Sequence, residues 1–224
     1  MKKLNKESLT FLQALEENNN RVWFADQKPV FDRVFGDVKD FFRSIYEEME
    51  MHDDLAPIHI HRIYRDVRFS KNKLPYKNYF GLHIARSKPK LRGGYYLNIE
   101  PGGHSFVGGG FWEPDAADLL RIRKDIARDP SELRAILAHP DFVSEFGVLS
   151  GDKLKTAPKG FDKEHEAIDL LRHKQFLAMK FYTDEEILKP DFAKQVIRGF
   201  LALQPFFDYM TDVLTTDANG AAIE

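Results

Sequence analysis

The chain reads as an α+β protein, an antiparallel sheet of about four strands over roughly residues 58–112 packed against N-terminal and C-terminal helices. Three observations predict this. Apolar residues recur at steps of three and four near both ends, the period of an amphipathic helix. Between them the pattern changes to alternation rich in β-branched and aromatic residues, cut by Pro and Gly clusters, which is the pattern of strands and turns. The segments joining these strands are too short for parallel crossovers, so neighbours must pair antiparallel.

In chain order, Leu9, Phe11, Leu12 and Leu15 predict a helix over 7–18, ended by the run Asn18, Asn19, Asn20. Phe31, Val34, Val38, Phe41, Phe42, Ile45 and Met49 form one stripe of a longer helix, with Trp23 and Phe24 just before it and Pro29 in its first turn. A strand is expected over Ile58 to Phe69, with Arg62, Asp66 and Arg68 on one face and Arg65 on the other. Strands over 78–86, 95–100 and 104–112 complete the meander, turning at Pro89, Gly93-Gly94 and Pro101-Gly102-Gly103. Gly108-Gly109-Gly110 is poor strand material and marks a bulge or a close approach of backbone or ligand.

Helices then return from Pro114, from an Asp129/Glu132 capping box and from Pro140, the last stopped by Gly147. A basic, turn-rich loop covers 151–160, a helix 168–175 and a further strand 176–182. Thr183 and Glu186 make a capping box. A final helix starts at Pro190 and carries Phe192, Val196, Phe200, Leu203, Phe207 and Met210, with a kink expected at Pro205. No repeat or linker interrupts the 224 residues, so a single domain over 1–224 is expected, with 215–224 as a frayed tail.

A 43% hydrophobic and 13% aromatic composition is ample for one core. No apolar run is long enough for a membrane helix and the start shows no signal segment, so no membrane partner and a cytoplasmic location are expected. The absence of cysteine excludes disulfides, thiolate metal sites and cysteine nucleophiles. His59 and His61 share a strand face, but no helical metal signature accompanies them and no metal set is assigned. The glycine runs lack the strand-to-helix context of phosphate loops, and the sequence names no cofactor.

Charge is distributed unevenly. Residues 62–92 hold ten Lys or Arg against one acid, Asp66, in a chain of net charge −2. Arginine forks match phosphate or carboxylate, so the best functional expectation is an anionic, phosphate-bearing small molecule, bound and possible to transform, at a strand-loop site. The candidate ligands are Arg62, Arg65, Arg68, Lys71, Lys73, Tyr76 and Lys77, joined by Lys155 and Lys159 from the later loop. Asp66 is the candidate catalytic group. The alternative is a structural or interaction module, including weak nucleic-acid binding beside Tyr76 and Tyr79, with the arginines tied into a salt-bridge network. The near-neutral total charge ranks nucleic acid behind a small anion.

Three blocks, Arg62 to Lys77, Gly94 to Gly102 and Gly109 to Pro114, resemble the signatures of the uncharacterised bacterial and fungal domain of unknown function 2461. The likeness covers about residues 5–210. It implies one α+β domain and brings no activity. The chain departs from the family pattern at Asn72, where Asp is usual, and at Leu74, where Thr is usual.

Overall fold

The computed structural model describes residues 2–217 and 221–222, and has the α+β architecture. Three helices come first: α1 (Lys6–Glu17), α2 (Arg21–Asp26) and α3 (Lys28–Met49). Asn5 and Asn20 cap the first two through their side chains, so the asparagine run that ends α1 also starts α2. Trp23 and Phe24, expected as a lead-in, are therefore helical. The predicted stripe of α3 is buried at all seven positions, Phe31 to Met49.

The sheet has five strands in the order β1 (His59–Ile60), β2 (Phe80–Ala85), β3 (Gly94–Ile99), β4 (Ser105–Phe111) and β5 (Phe176–Tyr182), every neighbour antiparallel. The later strand, separated by some sixty residues of helix and loop, adds itself to the edge of the meander. Its partner is fixed by register, from Ser105 opposite Tyr182 to Phe111 opposite Phe176.

One expected strand fails. The alternation over 58–69 yields only a two-residue strand, and the chain leaves the sheet after the His61 N–H donates to Gly81 O at 2.9 Å. Tertiary packing overrides the pattern here. Ile63 turns into the core, while Tyr64 and Tyr76 form a bridge whose rings pack on Phe24, Tyr76 stacking at 4.0 Å between centroids.

Between β4 and β5 lie α4 (Ala116–Arg128), α5 (Ser131–Ala138), α6 (Pro140–Phe146) and α7 (Ile168–Leu171). After β5 come α8 (Asp184–Ile187) and α9 (Phe192–Thr215). Asp129 accepts from the Ser131 N–H and hydroxyl instead of forming the expected box with Glu132. The Thr183/Glu186 box is formed. The helix expected over 168–175 stops at Leu171, where the segment turns to feed β5. The last helix begins at Phe192 and runs unbroken through Pro205. The expected tail over 215–224 lies in part outside the described residues, though Thr215 itself closes α9.

α9 is the pillar of the core. Its predicted stripe is buried throughout and meets the inner sheet face, with Phe200 and Phe207 at 5.0 and 5.1 Å from the Tyr95 ring. Leu82, Ile84, Leu97, Ile99 and Val107 alternate onto the same face and are fully buried. The opposite face carries His83, Tyr96, Phe106, Met179 and Phe181, all at least partly exposed. No helix among the described residues is long and apolar enough to cross a membrane.

Candidate functional site

The uncovered sheet face holds a trough of about 540 Å³. The backbone of Gly94, Gly109 and Gly110 lines its floor, and Tyr79, Tyr96, Phe106 and Trp112 stand around it with His61 and His83. Tyr96, Phe106 and Phe181 form a ladder across β3, β4 and β5 with 5.5 Å between successive centroids. The alternation that sends Tyr95 and Leu97 inwards sends Tyr96 and Asn98 into the trough. Gly81 leaves room beneath the wall: a Cβ there would lie 2.7 Å from Tyr96 Oη and 3.4 Å from the His61 and Tyr79 rings.

His61 packs edge-on against His59 at 4.9 Å and Tyr96 at 5.7 Å. Burial, reinforced by Lys77, His59 and His83, pushes its pKa down to about 4. His83 is lowered too, first by burial and then by His59 and Lys88. The histidine wall is thus neutral near pH 7. The consequence for stability has a definite sign. Between about pH 6.5 and 4 the unfolded chain binds a proton at His61 that the folded chain refuses, so stability falls as pH drops through that window. His61→Gln should therefore show a smaller drop in urea midpoint between pH 7.5 and pH 5 than the parent protein; an equal drop would refute the neutral histidine.

The basic stretch divides in the folded chain. Arg68 grips Asp66 through two bonds, Nε to Oδ1 at 3.0 Å and Nη2 to Oδ2 at 2.6 Å, on an exposed loop. The expected Arg62/Asp66/Arg68 strand face is corrected accordingly: these residues follow the strand and lie on an irregular loop, where nothing enforces a common face. Arg86 is buried between Asp53 and Asp208, and Arg92 pairs with Asp118. Lys73 Nζ donates to Val67 O, and Lys71 is exposed on the same loop. Tyr76, expected as a stacking surface, is a core residue, its backbone held on both sides by the Asn19 amide. Tyr79, unlike Tyr76, faces the trough, as Tyr96 does.

Lys88 and Lys90 are exposed on the turn between β2 and β3, which leaves Arg62, Arg65 and Lys77. None forms an ion pair among the described residues, and each is within electrostatic reach of another. Burial lowers the Lys77 pKa, and Arg62 and Arg65 lower it further. Backbone pairing brings them together: the Arg65 N–H donates to Pro75 O and the Lys77 N–H to Ile63 O, at 2.9 and 2.8 Å. The cluster meets the trough through Lys77, which lies 5.5 Å over the Tyr79 ring and depresses His61, and through Arg65, whose charge acts on the Tyr79 hydroxyl. Lys155 and Lys159 are elsewhere. They are exposed on the segment that pairs with residues 172–175 ahead of β5, and the 62–77 loop leaves β1 at the other edge. Four strand spacings, roughly 19 Å, separate those edges.

Sequence reasoning did not single out Tyr96, Phe106, Trp112, His83 or Glu100 as a group. The available signal was the alternation on the middle strands combined with three consecutive glycines. A model of a family described as conserved hypothetical protein (DUF2461) matches residues 7–209. No curated protein and no solved structure matches the chain.

Proposed function

Because the chain belongs to the DUF2461 family, whose description assigns no reaction, we propose a function from the geometry of the site: binding of a small anionic molecule with a planar body, its phosphate or carboxylate held by Arg62, Arg65 and Lys77 and its body in the aromatic trough. The observation that carries this reading is the unpaired cation cluster. Three clustered positive charges, one of them partly desolvated, repel each other, and an anion relieves that repulsion. Several arginines elsewhere are paired with acids, as Arg86, Arg92, Arg134 and Arg198 are, whereas here three cations lie together without an ion pair among the described residues. The core supports a single-domain chain, with buried residues from Leu4 to Leu214 in one cluster, and the lack of cysteine favours a cytoplasmic setting.

A thermal-shift and calorimetric series with pyrophosphate, sugar phosphates and nucleoside monophosphates tests the reading. Arg65→Ala and Lys77→Ala should each weaken the best binder tenfold or more, the scale of a charged hydrogen bond of about 1.5–3 kcal/mol. Arg68→Ala, which removes a cation already paired with Asp66, should change affinity less than threefold. Equal losses in all three variants, or no binder in the series, would refute it.

The ladder of Tyr96, Phe106 and Phe181 favours one second reading, a platform on which single-stranded nucleic acid stacks. That reading requires affinity that falls steeply with salt and grows with oligonucleotide length.

A further inference from the structure

Glu100 follows β3 directly and lines the trough beside Tyr79 and Tyr96. Its carboxylate is held by neutral groups: Asn78 Nδ2 donates to Oε1 at 3.0 Å and Asn98 Nδ2 to Oε2 at 2.8 Å. Its backbone is held as firmly. The Glu100 N–H donates to Ser105 Oγ at 3.0 Å, and the same hydroxyl donates to Glu100 O at 2.9 Å. Asn98 and Ser105 are buried, so the clamp is rigid. No cation pairs with this carboxylate among the described residues. Two amides occupy two of its four lone-pair sites, which leaves a fixed, uncompensated acceptor facing the cavity.

The Tyr79 hydroxyl feels both ends of the site. Burial and the Glu100 charge raise its pKa, while Arg65 acts in the opposite direction. Lys77 Nζ lies 5.5 Å over the Tyr79 ring, and Tyr79 and Glu100 line the same trough, so Tyr79 stands between the cation cluster and the carboxylate. A ligand that meets both must present oxygens to Arg65 and Lys77 and an N–H donor to Glu100, because an acceptor placed at Glu100 would leave two acceptors opposed. The aromatic walls favour a heteroaromatic body between these two groups. Resting on the anion-site reading above, we propose that the trough selects an amino-bearing heteroaromatic monophosphate, with Glu100 accepting from the exocyclic amine.

Calorimetry on the full chain with matched probes tests this: AMP against IMP, CMP against UMP, and glucosamine 6-phosphate as an amino phosphate without an aromatic ring. The amino member of each nucleotide pair should bind at least tenfold tighter than its oxo partner, and glucosamine 6-phosphate at least tenfold weaker than either aminated nucleotide. Glu100→Gln should collapse or invert the preference within the pairs. Glu100→Asp, which keeps the charge, should retain its direction at reduced affinity, and it replaces Glu100→Gln if that variant fails to fold. Equal binding within both pairs, a preference that survives Glu100→Gln, or glucosamine 6-phosphate binding as well as AMP overturns the proposal while leaving an anion site in place. Failure of every probe overturns both.

Discussion

Arg86→Ala should destabilise the protein by about 3–5 kcal/mol, the range for removing one partner of a buried ion pair. The guanidinium leaves the end of β2 and reaches Asp53 through Nε at 2.8 Å and Asp208 through Nη2 at 2.6 Å, with Thr211 Oγ1 at 3.4 Å. Only 5% of its side chain and 4% of that of Asp53 is exposed. Burial works against the guanidinium charge, but Asp208 and Asp53 outweigh it and its pKa rises. Tyr95 also donates to Asp53, and its own pKa is raised first by burial and then by that carboxylate. Without Arg86, Asp53 would be a buried carboxylate with no cation beside it, held by the Tyr95 phenol and the Asp54 N–H. Urea unfolding at pH 7 measures the effect. A loss under about 1 kcal/mol would show that Asp53 escapes to water and that the pair does not tie sheet, α3 end and α9 together. Tyr95→Phe should cost less, about 1–2 kcal/mol, since it removes a single hydrogen bond while leaving the ion pair.

Gly110→Ala should be comparably damaging, about 3 kcal/mol or more, through backbone geometry alone. Gly110 has φ of +135°, a region that L side chains rarely adopt, and an added Cβ would lie 2.1 Å from Phe176 O. That oxygen belongs to the neighbouring strand and cannot rotate away. Relief requires β4 and β5 to separate at the Gly110/Leu177 and Phe111/Phe176 positions, which also tears the trough floor. Gly103→Ala is the control. It too has positive φ, but nothing lies within 4 Å of its missing Cβ, so it should cost only the conformational strain, about 1 kcal/mol. If both variants melted alike, steric approach would not be what requires glycine in β4.

Much of the fold was legible locally. The stripes Phe31 to Met49 and Phe192 to Met210 have the helical period because each helix buries one face, and every named position of both is buried. The alternation of the middle strands and their short turns fixed the antiparallel meander for the same reason. The capping box at Thr183 and the glycine stop at Gly147 are short-range devices, readable within four residues. Asp129 with Glu132 shows the limit of that reading, since Asp129 had a nearer partner in Ser131.

The site was legible only in part. Composition located the basic stretch 62–92. Partner choice across the fold then sorted its charges: Arg86 found Asp208, 122 residues away, while Arg62, Arg65 and Lys77 form no ion pair among the described residues, Arg62 acting on Asp66 only at longer range. No local pattern encodes that outcome, because an ion pair depends on which distant carboxylate the packing brings near. The shortened β1 has a similar cause, as Ile63 and Tyr76 gain more by packing in the core beside Phe24 than by extending the sheet edge. By itself, then, the amino-acid order determined which residues are helical, which alternate and where charge accumulates, since those follow from periodicity and neighbours. Which sheet face stays open, which cations stay unpaired and which carboxylate faces them were settled by long-range packing, where burial and partner geometry outweigh local preference.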